Sequence, residues 1–437
     1  SKLLESGQAE STSDDLLRYE EHIGSVTRRV VEAERGFEWK YFQWLCLLFT
    51  EIYLERYFHG REQLLDDLNS FVDRFNSHWT AYEDSPPYEE EDLNKVCVQM
   101  ATGSGKTLLM HAQLMQFRRY AEDTGNEGDF SRTLLVTPNE RLSSQHIQEV
   151  QATQGLNAID FAAEGDSLFG QAGGLSRIDT IDIHKLEDKE GEKTIATRSL
   201  GDRNLLLVDE GHRGMSGSTG EDEELGAWMR RRQQLAERGF TFEYSATFAQ
   251  AAGASDSDAV ANDYAKSVLF DYAYRWFYED GYGKDYKIDN LPDPNPEVLE
   301  QVRKTGNPKT VEKLEQTKAV ADALRPKFMT AALLKFYQQL RIYEEQFEDR
   351  SGRYQNFNLE KPLWVFVGSR VTSGYGKSGR MSDVANVLRF LADFLADGIW
   401  GNEYVSYIDE LLDQGGTSTG LIDEEGRDVF GNAFGFL

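Results

Sequence analysis

Met100 through Thr107 reads Met-Ala-Thr-Gly-Ser-Gly-Lys-Thr. Glycines at 103 and 105 let backbone N–H groups turn inward around an anion, and a lysine followed by a hydroxyl residue adds a cation and a metal ligand. This is chemistry for a nucleoside triphosphate. Thr102, Gly103, Ser104 and Gly105 are candidates to wrap the phosphates, Lys106 to reach the β and γ groups, and Thr107 to hold Mg²⁺. The strict pattern asks for glycine where this chain has Met100. Farther along, Asn204 through His212 reads Asn-Leu-Leu-Leu-Val-Asp-Glu-Gly-His, an apolar run that closes on two carboxylates. Asp209 suits a Mg²⁺ ligand acting through water. Glu210 suits the group that orients and deprotonates an attacking water. ATP and Mg²⁺ are the expected cofactors, with Lys106, Asp209, Glu210 and His212 as the expected catalytic set.

Such groups need elements to place them. Residues 95–100, 133–137, 178–183, 204–209 and 241–245 are short apolar runs fit for buried strands, and 106–120 and 140–151 have helical character. Strands alternating with helices imply a mostly parallel sheet covered on both faces, whose strand ends open on one crevice. Upstream, residues 37–82 read as helical, with Phe42, Cys46, Phe49, Tyr53 and Tyr57 three or four apart. The expected organisation is a helical N-terminal region with an acidic linker (1–93), an ATP-binding lobe (94–290), a helical connector (291–360) and the start of a second α/β lobe (361–437). That second lobe is expected to open with a strand at 362–367 and continue with a helix at 382–396.

Composition bounds these expectations. The chain has 437 residues, with 75 Asp+Glu against 47 Lys+Arg and a net charge of −28, so it lacks the basic footprint of a general nucleic-acid binder. Its 25 Phe, 20 Tyr and 7 Trp exclude disorder throughout. The most apolar stretch, 39–58, is interrupted by Lys40, Gln43, Glu51, Glu55 and Arg56, which excludes a membrane span there. Residues 1–20 are polar and acidic, so no signal peptide is expected in them. Cys46 and Cys97 sit in apolar runs and are read as buried thiols of a cytoplasmic protein. Two cysteines exclude a cysteine zinc cluster, and the seven histidines show no metal spacing.

In chain order, Ala101–Thr107, Asp209–His212 and Ser245-Ala-Thr247 resemble motifs I, II and III of superfamily 2 helicases of the DEAD/DEAH-box type. The variant Asp-Glu-Gly-His-Arg is most similar to the branch that holds the helicase subunits of type III restriction enzymes and related phage-defence proteins. The resemblance implies an α/β fold: a P-loop RecA-like lobe with a parallel sheet, a partial second RecA-like lobe and a helical N-terminal region. It implies that Thr137, Pro138, Asn139 and Gln145 contact a nucleic-acid strand. It also implies that His212, Ser245 and Thr247 couple the nucleotide to that strand. Lys40-Tyr-Phe-Gln43 resembles an adenine-reading element, with Gln43 on the base edge; the competing reading is one polar stripe of an amphipathic helix. Residues 361–370 resemble motif IV, with Arg370 on a strand phosphate or merely at a solvated strand end. No match to motifs V or VI follows, so the chain reads as a fragment or as carrying a degenerate second lobe. Trp228-Met-Arg-Arg-Arg232 reads as a solvated helix face rather than a phosphate contact.

The resemblance therefore implies an ATP-dependent helicase or translocase core in restriction or phage defence. Its substrate would be DNA rather than RNA, and its partner a nuclease, a methyltransferase or a further C-terminal domain, with no membrane. The alternative is an ATP-gated interaction module with little turnover.

Overall fold

The computed structural model describes residues 13–31, 37–78, 84–161, 173–187, 195–213, 223–253, 258–283, 326, 328–344, 360–367, 382–400 and 403–413. Three helices come first: α1 (Ser13–Val30), α2 (Tyr41–His59) and α3 (Arg61–His78). Strands and helices then alternate: β1 (Lys95–Met100), α4 (Lys106–Asp123), β2 (Arg132–Thr137), α5 (Glu140–Gln151), β3 (Ala158–Asp160), β4 (Gly174–Asp182), β5 (Leu186–Glu187), β6 (Ile195–Ala196) and β7 (Asn204–Asp209). They are followed by α6 (Glu223–Leu235), β8 (Phe240–Ser245), α7 (Phe248–Gly253), α8 (Asp258–Ser267), β9 (Val268–Tyr272) and α9 (Tyr274–Glu279).

Seven strands form one sheet in the order β3-β4-β2-β7-β8-β1-β9, with every pair parallel. Alternate residues serve opposite faces, as the two-residue period of a strand dictates. Leu205 and Leu207 join the core shared with α1, α2 and α4, while Leu206 and Val208 join the one under α6. Burial on both faces is why these strands are continuous apolar runs rather than alternating ones.

The order has a consequence for chemistry. β8 lies between β1 and β7, with Gln99 opposite Ser245 and Asp209 opposite Tyr244. The carboxyl edge therefore presents Thr137, Asp209, Ser245 and Met100 from successive strands.

The N-terminal helices share the core of the sheet. Ile23, Phe42, Leu47 and Leu54 pack in one cluster with Leu109, Phe117 and Phe242. A polar network fastens them too. The Glu51 carboxylate, with no exposure, pairs with His22 Nδ1 at 2.6 Å and accepts from Gln116 Nε2 at 2.5 Å and Tyr120 Oη at 2.8 Å. A buried carboxylate is tolerable only when its oxygens are bonded in this way. Ser1–Asp285 accordingly forms one compact unit.

Tyr286–Leu437 is a second unit. Its described parts are a helical run at 328–344, an extended run at 360–367, α10 (Asp383–Trp400) and α11 (Glu403–Asp413). The expected helix at 382–396 is α10. The expected strand at 362–367 is not formed: these residues join no ladder, and Leu363, Val365 and Val367 are exposed. Strand structure needs a bonded neighbour and a covered face, and apolar content alone supplies neither. Arg370 lies outside the described residues. Among the described residues no helix is long and apolar enough to cross a membrane.

Candidate nucleotide site at the carboxyl edge of the sheet

β1 delivers the chain into the glycine loop at its fully buried last residue, Met100. Gly103 and Gly105 have φ of +83° and +90°, a backbone region that disfavours side chains. Gly105 is also the N-cap of α4, and a Cβ on it would meet Gln43 Nε2 at 2.6 Å. Lys106 Nζ donates to the carbonyls of Met100 at 3.1 Å and Ala101 at 3.3 Å. Its pKa is lowered by burial, against the opposing charges of Glu210 and Asp209.

Gln43 lies at the loop itself. Its Nε2 donates to the Ser104 carbonyl at 2.8 Å, and its Oε1 accepts from the Lys40 backbone N–H at 2.9 Å. A solvated polar stripe is therefore not its role. The neighbouring Tyr41 is exposed, and the Lys40 ammonium stands 4.5 Å from the Tyr282 ring centre. Phe42 stacks on Tyr272 at 4.2 Å, pinning the start of α2 to β9.

The acidic turn is held in an unusual backbone shape. Among the described residues Glu210 is the single non-glycine at positive φ, +54°. That conformation costs about 1–3 kcal/mol and survives where surrounding bonds over-determine it. Four such bonds are present. Gly211 N–H donates to Tyr244 O at 2.9 Å, and Arg213 N–H to Glu210 O at 3.0 Å. Arg232 Nη1 donates to Gly211 O at 2.8 Å, and Nη2 to Arg213 O at 3.1 Å. Gly211 is required by packing, because a Cβ there would meet Glu243 Oε2 at 2.8 Å.

Arg232 thus corrects the sequence reading of its cluster: it is buried, as is Arg231, and neither lies on a solvated face. Glu243 on β8, 3.6 Å away, compensates its charge and itself accepts from Tyr264 Oη at 2.6 Å. Lys95 completes the cluster at 3.7 Å from Glu243.

His212 Nδ1 is 2.7 Å from Ser245 Oγ and 3.3 Å from Glu210 Oε2. Burial lowers its pKa, opposed by Glu210. Ser245 Oγ also accepts from Thr247 N–H at 3.0 Å. The three residues expected to work together are hydrogen-bonded in series.

Asp209 Oδ1 accepts from the Glu210 N–H at 3.0 Å, and Oδ2 is 3.0 Å from His146 Nε2. His146 is buried on α5, the helix that begins at Asn139. The residues expected to touch a strand mostly serve that helix start. Thr137 is buried with Oγ1 2.6 Å from Ser143 Oγ, and Asn139 Oδ1 caps the helix from Leu142 N–H at 3.0 Å. Pro138 is buried beside them, while Gln145 is exposed and donates to Glu149 at 2.8 Å.

Sequence reasoning missed His146 and Arg232. The signal for His146 was spacing, since Ser143, His146 and Val150 fall on one buried helix face. No local signal marked Arg232, which is identified only by the carbonyls it meets.

A family model described as the type III restriction enzyme, res subunit, matches residues 61–250. No curated protein matches the chain. Among solved structures, the crystal structure of the Pyrococcus furiosus Hef helicase domain is similar at 15% identity and a TM-score of 0.30, covering 74% of this chain and 60% of that one. The Sulfolobus solfataricus SWI2/SNF2 ATPase core in complex with dsDNA is similar at 12% identity and a TM-score of 0.27, covering 80% of this chain and 65% of that one. The chain thus spans less than two thirds of the length of either structure.

Proposed function

We propose, from the match of residues 61–250 to the family model of the type III restriction enzyme res subunit, that the chain is a Mg²⁺-dependent ATPase that drives a nucleic-acid helicase or translocase. The observation that carries this reading is the convergence of Lys106, Asp209, Glu210 and the His212–Ser245 pair on one sheet edge. Thr102, Gly103, Ser104 and Gly105 cradle the phosphates with backbone N–H groups. Lys106 exchanges the Met100 and Ala101 carbonyls for phosphate oxygens. Gln43, fixed to the loop, presents its amide to the adenine edge. Glu210 holds and deprotonates the water.

The donor set fits Mg²⁺. Among the described residues no three His, Cys, Asp or Glu side chains form a metal cluster. The Thr107 hydroxyl and the Asp209 carboxylate would hold the ion alongside phosphate oxygens and water, as suits a hard octahedral cation. When bound, it neutralises charge on the phosphates; the protein's own share is positioning and electrostatics.

The strand is DNA rather than RNA, met by the exposed Gln145 and by the backbone of Thr137-Pro-Asn139, and His212, Ser245 and Thr247 report its presence to Glu210. The match to a restriction-enzyme subunit supports work in restriction or phage defence beside a nuclease or methyltransferase. Two free buried cysteines suit the cytoplasm. A second reading, an ATP-gated interaction module, is favoured by one observation: Thr137 and Asn139 spend their side chains on the helix start, in a chain of net charge −28.

ATP hydrolysis measured with single-stranded DNA, double-stranded DNA, RNA or none separates these. Stimulation by DNA, lost in Lys106→Ala and Glu210→Gln, is expected. Turnover indifferent to nucleic acid supports the gated module. Turnover unchanged by both substitutions overturns the site.

A further inference from the structure

At the opposite, amino edge of the sheet a cavity of about 950 Å³ opens between α1, α4 and the starts of β2, β4 and β7. That volume is in the range of sites for small ligands, about 300–1,000 Å³. Its wall holds two inward-lying side chains with unspent nitrogens. Arg118 Nη1 makes one long contact, 3.4 Å to Gly155 O, while its Nε and Nη2 are buried with no hydrogen-bond partner. His22 Nδ1 is committed to Glu51 at 2.6 Å, and its buried Nε2 has no partner. Buried polar groups are nearly always bonded, and a guanidinium left short of partners needs an explanation. Burial draws the Arg118 pKa down to about 10, opposed by Glu122. Arg29 and Arg203 stand at the exposed rim. Arg119 also lines the cavity but is bridged to Asp123 at 3.3 Å.

We propose that this cavity binds a small phosphate-bearing ligand, with Arg118 as its anchor, His22 beside it, and Arg29 and Arg203 closing over the anion. Guanidinium groups match phosphate oxygens in pairs. The wall also carries the carboxylates of Glu122 and Glu127, which repel a continuous polyanion and select a single compact group. The ligand is therefore a phosphomonoester or free orthophosphate, not a nucleic-acid strand. The site is separate from the P-loop: α4 runs from Lys106 at one edge to Arg118 at the other, about 18 Å along its axis.

The test is equilibrium dialysis of the full chain with orthophosphate and with AMP, in a Lys106→Ala background so that the P-loop contributes little. Saturable binding of one equivalent is expected, weakened at least about tenfold by Arg118→Gln, as loss of a charge-assisted bond implies, and less by Arg203→Gln. Tighter binding of AMP than of orthophosphate identifies a phosphomonoester; equal binding identifies the free ion. Should circular dichroism show that Arg118→Gln does not fold, the exposed pair Arg29→Gln and Arg203→Gln decides. No saturable binding at millimolar concentration overturns the site, as does binding that survives the substitutions in folded protein.

Discussion

Two arginines, Arg232 buried and Arg118 partly buried, stand at opposite edges of the same sheet. Arg232 spends both terminal nitrogens on the carbonyls of Gly211 and Arg213, and Glu243 beside it raises its pKa despite burial. At Arg118 the acidic neighbour, Glu122, does not outweigh burial, which lowers the pKa to about 10. Both sit on helices that pack against the sheet and both have buried nitrogens, but they differ in the partners those nitrogens find. A guanidinium whose bonds are spent inside the protein holds a backbone turn in place. One whose bonds are open is poised for a ligand, and the chain carries its desolvation cost until that ligand arrives.

The contrast can be broken in several places. The largest effect belongs to the residue that the Arg232-held turn positions: Glu210→Gln should lower kcat about 10²- to 10⁴-fold, while ATP affinity, followed with a fluorescent analogue, stays nearly constant. Loss of both together would assign Glu210 to binding instead of chemistry. Next is Arg232→Met, which leaves Glu243 short of a buried cation and should cost about 3 kcal/mol in urea unfolding; a neutral result would remove the claim that this arginine is structurally committed.

A smaller effect runs along α4, between the two edges. His111, largely buried and with Nδ1 3.0 Å from Thr153 Oγ1, has a pKa lowered to about 4, first by burial and then by His146. The unfolded chain takes up this proton near pH 6.5 and the folded one only near 4. The contribution is thus whole above pH 6.5 and is lost as pH falls toward 4, at up to about 1.4 kcal/mol per pH unit. Urea midpoints of wild type and His111→Gln should therefore converge on acidification through that window. Arg118→Met should show the smallest change, neutral or up to about 1 kcal/mol stabilising. A loss of several kcal/mol there would make Arg118 a structural residue like Arg232.

Legibility followed the range of the interactions. The glycine loop and the Asp209-Glu210 pair could be read because each is contiguous, and a strand running into glycines and then a helix has few other uses. β1, β2, β7 and β8 were placed within a residue or so, since their apolar runs need burial on both faces. The run at 362–367 has the same apolar look and forms no strand, because ladder partners are not a property of the run itself. Thr137 and Asn139 were recognised as belonging to one motif, yet their hydroxyl and amide close the start of α5.

By itself the sequence marked the glycine loop and the carboxylate pair on which the proposed phosphate chemistry rests. Glycine's access to positive φ, and the adjacency of Lys106 and Thr107 to the helix start, are local facts. Tertiary structure alone decided what stands behind each group: Gln43 on Ser104, His146 on Asp209, Arg232 on the turn after Glu210, and no partner for Nε and Nη2 of Arg118. The physical reason is that the cost of burying a polar group is set by its partner across space. The parallel sheet, by inserting β8 between β1 and β7, chose those partners from distant parts of the chain.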